Sequence, residues 1–233
     1  MSIRMQNLLV GLILTASLAG CGNDPAEMSA QLPLKDTVSQ VFAAMAKGKQ
    51  GRIAAPAAPD ANAVAGLRAV LEEAGTPIYA LKDPGTGLVT FVAKIGDNTG
   101  VGTWSTTDYR TIGLRDGIIV ATRGFGSDMM SAEAPTLAVI AAGSGSHARA
   151  YYYLDGADQS QVLRYDCALA VAGSETIEIL GKPHATRRIT ETCTGKSGSF
   201  VNEYWFEGGS KLRQTSQLRV QGVGNMFLQQ IIE

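Results

Sequence analysis

The sequence predicts a mainly β fold: one large, curved antiparallel meander sheet, an open or half barrel, with two short N-terminal helices packed on one face. Beyond Gly75 apolar and polar residues alternate, as they do in strands that bury one face. Turn residues interrupt the chain at short intervals, and Asp116-Gly117 is typical of a hairpin. Short connections of this kind join antiparallel neighbours, so we expect a meander.

The N-terminus is typical of a secretion signal. Arg4 precedes an apolar run over residues 8–18, which is too short for a permanent membrane span. Leu18-Ala19-Gly20-Cys21 resembles the lipobox of bacterial lipoproteins, and this resemblance implies cleavage after residue 20 and a lipid on Cys21. In such lipoproteins an aspartate directly after the lipidated cysteine favours retention in the inner membrane. Gly22 occupies that position here, so the resemblance implies an anchor in the outer membrane with the chain facing the periplasm. The alternative is a plain secretory signal with an incidental cysteine.

The mature chain is long enough for one sizeable domain. We expect residues 1–20 to be the signal peptide, 21–35 a flexible tether and 36–233 a single β-rich domain. Cleavage removes Arg4, the only charged residue of the signal, and leaves 19 of the 20 basic residues against 21 acidic ones. This balance provides no basic field for nucleic acid.

Two amphipathic patterns precede the strands. The first predicts a helix between a capping Asp36 and Gly48, and the second a helix between a capping Asp60 and Gly75. A further helix is expected within residues 129–142, interrupted by Pro135. Strands are expected at 78–82, 88–95, 101–105, 111–114, 118–122, 150–154, 161–172, 176–180, 186–194, 199–206, 211–220 and 226–232.

Cys167 and Cys193 remain as a pair when Cys21 is lipidated. In an oxidising compartment we expect them to form a disulfide, which would close a loop of about 27 residues and stabilise the fold by about 3 kcal/mol. The alternative is two buried free thiols. Neither cysteine has Cys-x-x-Cys spacing, so the sequence indicates no redox or metal role for them.

Candidate catalytic and metal-ligating residues are few. His147 and His184 lie far apart without ligand neighbours, so we expect no metal, no cofactor and no catalytic residue. Gly143-Ser144-Gly145-Ser146-His147 lacks the nucleophile elbow and is interpreted as a loop, and Gly124-Phe125-Gly126 as a turn.

Acidic and aromatic residues offer weaker candidates. Several aspartates could pair as glycosidase acids, but most lie at predicted turns, where aspartate is favoured for backbone hydrogen bonding. Aromatic rings could stack on sugars if exposed, but in strands they are more often part of a core. The aspartates are Asp108, Asp116, Asp128, Asp155 and Asp166, and the aromatics are Trp104, Tyr109, Tyr151, Tyr152, Tyr153, Tyr204, Trp205 and Phe206.

Two stretches carry a family resemblance. Residues 104–129 contain a hairpin followed by Thr-x-Gly-Phe-Gly-x-Asp, and residues 204–217 begin with Tyr-Trp-Phe. Together with the lipobox they resemble the YjbF/GfcB family of outer-membrane lipoproteins, which is associated with exopolysaccharide and group 4 capsule loci. The resemblance implies an antiparallel β-rich domain and a role in polysaccharide production, and it brings no catalytic residues.

These features lead to a functional hypothesis. We expect a non-enzymatic outer-membrane lipoprotein that assists exopolysaccharide or capsule production or export as a periplasmic binding or scaffold subunit. Its partners would be the membrane, through the lipid, and a polysaccharide or export and assembly proteins of the envelope. The alternatives are a glycan-acting hydrolase or lyase, and a carrier that holds an apolar ligand in the curved sheet.

Overall fold

The computed structural model describes residues 61–157 and 159–233. Two helices and twelve strands lie in this part of the chain. They are α1 Ala61–Glu73, β1 Ile78–Lys82, β2 Val89–Asn98, β3 Val101–Ser105, β4 Thr111–Arg115, β5 Ile118–Arg123, β6 Met129–Glu133, α2 Leu137–Ala142, β7 Ser144–Leu154, β8 Ser160–Ile179, β9 Lys182–Gly195, β10 Gly198–Glu207, β11 Lys211–Val220 and β12 Gly224–Ile232.

The strands form one antiparallel sheet in which sequence neighbours pair. β12 also pairs with β1, with Ile78 opposite Ile232, so the two ends of the strand series meet. The edges of the sheet are β5 and β6, which are consecutive in the chain. The sheet therefore curls into a barrel that is closed except at one seam, and the predicted β-rich meander is confirmed.

A hydrogen-bonded turn brings the two edge strands together at the seam. The Asp128 carboxylate accepts from the Thr122 hydroxyl at 3.1 Å and from the backbone N–H groups of Gly124 at 2.7 Å and Phe125 at 3.1 Å. The Met129 N–H in turn donates to Thr122 Oγ1 at 2.9 Å. The Thr-x-Gly-Phe-Gly-x-Asp motif is therefore the turn that aligns β5 with β6.

Alternate residues of the strands fill the interior, because successive side chains of a strand point to opposite faces. Tyr151, Tyr165 and Phe200 meet edge to face, with ring centroids 4.9 to 5.9 Å apart. The same core contains buried Leu81, Val92, Ile112, Leu114, Ile119, Met129, Cys167, Cys193, Leu218, Met226 and Leu228.

Helix α2 packs against the inner face of the barrel. The Val139 N–H donates to the Thr136 hydroxyl at its start, and Gly143 ends it in the left-handed conformation with φ of 69°. Ile140 is completely buried against Ile118 and Ile189. The helix thus occupies space that the curled sheet leaves open.

Helix α1 covers part of the opposite face of the sheet. Leu71 packs there with Ile78 of β1 and with Ile179 from the end of β8. The Arg68 guanidinium donates to the carbonyls of Ile179 at 2.5 Å and Leu180 at 3.1 Å. The helix and the tip of the β8–β9 hairpin therefore fix each other on the sheet.

The helix predicted after Asp60 is confirmed as α1. The signal peptide, the lipidation site Cys21, the tether 21–35 and the helix predicted between Asp36 and Gly48 lie outside the described residues.

Some predicted boundaries are wrong, because long strands replace turns. The strands predicted at 161–172 and 176–180 are the single strand β8, in which a bulge leaves Ala172 unpaired beside Gly173 without ending the strand. The predicted loop at 143–147 is largely the start of β7, since Ser144 to His147 pair with β8. The helix expected over 129–142 is wrong for residues 129–133, which form β6.

Candidate functional site

A cleft of about 360 Å³ opens at the end of the barrel where the β2–β3, β4–β5 and β10–β11 turns lie together. We refer to it as the mouth cleft. It is lined by Tyr79, Lys94, Asp97, Gly100, Gly102, Trp104, Leu114, Asp116, Gly117, Leu137, Ser210, Lys211, Leu212 and Gln230.

Two aromatic rings form the floor of the mouth cleft. Tyr79 of β1 and Trp104 of β3 pack edge to face, with ring centroids 4.7 Å apart and an interplanar angle of 74°. A Cβ on Gly102 would lie 2.8 Å from Trp104 Nε1, so the glycine allows the indole to lie against the backbone. The aromatic floor is therefore fixed in position before any ligand binds.

The polar atoms of these rings have free hydrogen-bonding capacity. Among the described residues, the indole N–H of Trp104 has no hydrogen-bond partner, whereas Trp205 Nε1 donates to Glu175 Oε1 at 2.8 Å. Burial, together with the negative charges of Asp116 and Glu233, raises the pKa of Tyr79 to about 12. The Tyr79 hydroxyl consequently stays protonated at physiological pH and can donate.

The charged groups of the mouth cleft differ in whether they are paired. Lys94 Nζ lies 2.9 Å from Asp97 Oδ2, and Lys211 pairs with Glu233. Asp116 has neither an ion pair nor a hydrogen-bonded side-chain partner in the part of the chain described. The cleft therefore offers one uncompensated carboxylate beside two neutralised lysines.

A second concentration of polar groups lies inside the barrel around Glu191, and we call it the Glu191 cluster. Its carboxylate lies 2.5 Å from His147 Nε2 and accepts from Arg149 Nε at 2.6 Å, from Asn202 Nδ2 at 2.7 Å and from the Tyr204 hydroxyl at 2.8 Å. Arg149, Glu191, Asn202 and Tyr204 are each almost completely buried. A buried charge needs such partners, and the Glu191 carboxylate receives four of them, whereas the buried Nδ1 of His147 has no partner among the described residues.

The hydrogen bonds of the Glu191 cluster keep the carboxylate ionised. Burial by itself raises the pKa of Glu191, but the hydrogen bonds from His147 and Arg149 and the positive charge of Arg149 outweigh it and lower the pKa to about 2. The pKa of Arg149 is raised, since the neighbouring Tyr204, Tyr151 and Glu191 outweigh its burial. The cluster therefore holds a fixed ion pair inside the sheet.

The Glu191 cluster does not fit a metal site. His147, Cys167 and Glu191 bring potential ligand atoms within 4.8 Å of one another. However, the Cys167 sulfur is bonded to Cys193, so it supplies no thiolate, and Arg149 already occupies the carboxylate. Cys167 and Cys193, the predicted pair, thus form a structural disulfide.

The structure places the aspartates predicted as candidate acids at different positions in the fold. Asp108, Asp128 and Asp155 accept hydrogen bonds within their own turns, and Asp166 is exposed on β8. Only Asp116 of this set lines the mouth cleft.

The aromatic residues predicted as candidates for sugar stacking also lie in different parts of the fold. Tyr151, Tyr153, Tyr204 and Phe206 are buried in the two interior clusters. Trp104 also belongs to an interior cluster, with 7% of its surface exposed, and it alone of the set lines the mouth cleft. His147 bonds Glu191 rather than Ser144 or Ser146, while His184 lies 3.0 Å from Glu207.

Sequence reasoning missed several residues of the mouth cleft. Tyr79 of β1 and Lys94 and Asp97 of β2 meet through the pairing of these consecutive strands, whereas Gln230 joins them because β12 pairs with β1. No local motif in the sequence could have found this set.

Comparison with known families identifies the chain. Residues 36–231 match the family model described as group 4 capsule polysaccharide lipoprotein GfcB, YjbF. The chain belongs to the YjbF family. The family match covers both the barrel and the helical segment before it, and it confirms the resemblance seen in the sequence.

The YjbF-family chain also resembles solved structures. It is similar to the hypothetical lipoprotein YmcC from Escherichia coli K12, with a TM-score of 0.62 and 15% identity, over 79% of this chain and 98% of that one. A protein with a YmcC-like fold from Bacteroides fragilis aligns over 67% of this chain and 93% of that one, with 7% identity and a TM-score of 0.27. The YmcC likeness shows that the fold is shared.

Two further findings complete the comparison. No curated protein matches this YjbF-family chain. Within the described residues, no helix combines the length and apolar character needed to cross a membrane.

Proposed function

We propose that this YjbF-family chain is an outer-membrane lipoprotein that faces the periplasm and binds polysaccharide as a non-enzymatic subunit of capsule or exopolysaccharide production. The observation that carries the proposal is the mouth cleft, in which a packed aromatic floor lies beside polar groups that have no partner in the described part of the chain. The family match supports the association with capsule polysaccharide.

The chemistry of the mouth cleft suits a sugar. The apolar faces of a pyranose pack on aromatic rings, and its hydroxyls both donate and accept hydrogen bonds. Trp104 and Tyr79 supply the rings and two donors, and Asp116 supplies an acceptor. Because these groups are positioned in advance, little ordering is needed when a ligand binds.

A binding role has more support than a hydrolytic one. A glycosidase needs a carboxylic acid whose pKa is raised so that it can protonate the leaving oxygen. The hydrogen bond from Lys94 instead lowers the pKa of Asp97, with a further contribution from the Gly100 N–H. Asp97 is therefore suited to hold a charge rather than to donate a proton.

The carrier of an apolar ligand is the least supported alternative. The inner face of the sheet is filled by packed rings of Tyr151, Tyr165 and Phe200 and by the Glu191 cluster. An apolar ligand would have to displace these side chains.

A pair of matched substitutions tests binding at the mouth cleft. Trp104→Phe removes an N–H that faces the cleft, and Trp205→Phe removes one that bonds Glu175 elsewhere on the barrel. Polysaccharide fragments from the producing strain are titrated calorimetrically. We expect Trp104→Phe to weaken binding by about twofold to tenfold, which corresponds to one hydrogen bond. Trp205→Phe should bind as the unaltered protein does.

Two results would contradict the binding role. The first is no binding of these fragments to the unaltered protein. The second is the release of new reducing ends from the fragments, abolished by Asp116→Asn, which would establish the hydrolase instead.

The lipid anchor is tested separately. We expect mass spectrometry of the mature protein to find acyl groups on Cys21, and Cys21→Ala to move the protein from the outer-membrane fraction to the soluble periplasmic fraction. An unmodified Cys21 in membrane-derived protein would refute the anchor without affecting the cleft.

A further inference from the structure

We infer that the mouth cleft selects sugar units that carry no acidic group. This inference rests on the proposed function and names the class of ligand that the cleft accepts. The grounds are that the two lysines of the cleft are already paired with carboxylates, whereas Asp116 is not paired with a cation in the described part of the chain.

Both lysines of the mouth cleft are already paired with carboxylates of the chain. Lys94 is held by Asp97 at 2.9 Å, three residues along the same strand, and Lys211 by Glu233. A carboxylate or phosphate on the ligand would have to break one of these pairs to gain a cation. Among the residues that the structure describes, the site therefore offers no unpaired basic group of the kind that recognises acidic sugars.

Asp116 is the one charged group of the mouth cleft without an ion-pair partner within residues 61–157 and 159–233, and the backbone fixes its place in the chain. It lies in the β4–β5 turn with φ of 51°, followed by Gly117 with φ of 84°. The Gly117 carbonyl accepts from Gln217 Nε2 at 2.8 Å, and a Cβ on Gly117 would lie 2.7 Å from Leu212 Cδ2. The turn is thus packed on the interior, which fixes the backbone position from which the exposed Asp116 side chain projects.

An uncompensated carboxylate treats neutral and acidic sugars differently. It accepts hydrogen bonds from sugar hydroxyls, and charged acceptors form stronger bonds than neutral ones. A second carboxylate brought within a few ångströms is repelled by the like charge. We expect an acidic sugar to bind about tenfold or more weakly than its neutral counterpart.

The experiment compares one polymer in two charge states. Polysaccharide fragments from the producing strain are used untreated and after nitroxyl-catalysed oxidation, which converts primary hydroxyls to carboxylates. Binding of both preparations is measured with the unaltered full-length protein, with Asp116→Asn, and with Asp166→Asn as the matched control. Asp166 is exposed on β8 and does not line the mouth cleft.

We expect the unaltered protein to bind the untreated fragments more tightly than the oxidised ones. Asp116→Asn should reduce this preference, and Asp166→Asn should leave it unchanged. Raising the salt concentration should also reduce the preference, because salt screens charge repulsion. Asp116→Asn keeps the shape of the side chain. The loss of a sugar hydroxyl on oxidation should therefore weaken binding to the unaltered protein and to Asp116→Asn equally, and a difference between them reports the charge.

Two outcomes overturn the inference. Oxidised fragments that bind as well as untreated ones refute the selectivity while leaving the binding role intact, and so does a preference that Asp116→Asn does not change. Failure of both preparations to bind refutes the proposed function itself.

Discussion

Arg149 and Glu191 form an ion pair inside the barrel, with Arg149 Nε 2.6 Å from Glu191 Oε1 and both side chains almost inaccessible to solvent. The two residues lie on β7 and β9, which are separated by β8. The pair therefore spans an intervening strand and links three adjacent strands through side chains as well as through the backbone ladder.

Removal of one partner of the Arg149–Glu191 pair should strongly destabilise the folded protein. Arg149→Met leaves Glu191 buried without its cation, and we expect the free energy of unfolding to fall by about 3 to 5 kcal/mol. The double substitution Arg149→Met with Glu191→Leu should lose less than the sum of the single changes, because neither charge is then stranded. Urea unfolding monitored by circular dichroism measures all three variants.

The control for this prediction is Arg188→Met. Arg188 pairs with Glu175 and Glu203 at the surface, where an ion pair contributes about 0 to 1 kcal/mol. Equal losses for Arg149→Met and Arg188→Met would contradict the importance of burial.

Stability should fall in acid through Glu191. Its pKa in the folded protein is about 2, below the ordinary value of 4.5. The contribution to stability is therefore fully present above pH 4.5 and is lost as the pH falls from about 4.5 towards 2, by about 3 kcal/mol. Denaturation curves between pH 6 and 2 should show this loss, and Glu191→Gln should remove most of it. An identical acid profile for Glu191→Gln would argue against the assignment.

Reduction of the disulfide should destabilise the barrel. Cys167 and Cys193 are 26 residues apart, and loop entropy predicts a loss of about 3 to 4 kcal/mol for Cys167→Ala with Cys193→Ala. Thermal unfolding with and without reductant measures the effect on the unaltered protein. The double-alanine variant should not respond to reductant, and two free thiols in the unreduced, denatured protein would disprove the bridge.

The seam between β5 and β6 should depend on Asp128. Asp128→Asn weakens the bonds from Gly124 and Phe125, and we expect a loss of about 1.5 to 3 kcal/mol together with faster hydrogen exchange of both edge strands. Asp166→Asn serves as the control, since Asp166 is an exposed strand residue. Unchanged exchange at the seam would show that the turn does not align the strands.

Local patterns in the sequence determined much of the fold. Alternation beyond Gly75 and turns such as Asp116-Gly117 predicted the strands, and Gly75 marked the end of α1, because strand and turn preferences act over a few residues. The same local patterns predicted a strand end near Gly173, where the strand in fact continues, since a glycine that ends a strand and one that lies beside a bulge have the same sequence signal.

What only the tertiary structure decided is which distant residues meet. The pairing of β1 with β12 brings Gln230 beside Tyr79 in the mouth cleft, and the pairing of β7, β8 and β9 places Arg149 against Glu191. In the sequence Glu191 is an ordinary strand residue, with nothing to show that it is buried. Such contacts depend on how the whole sheet curls, and no short-range pattern encodes that curl. The individual strands, in contrast, follow from the local order of apolar, polar and turn residues.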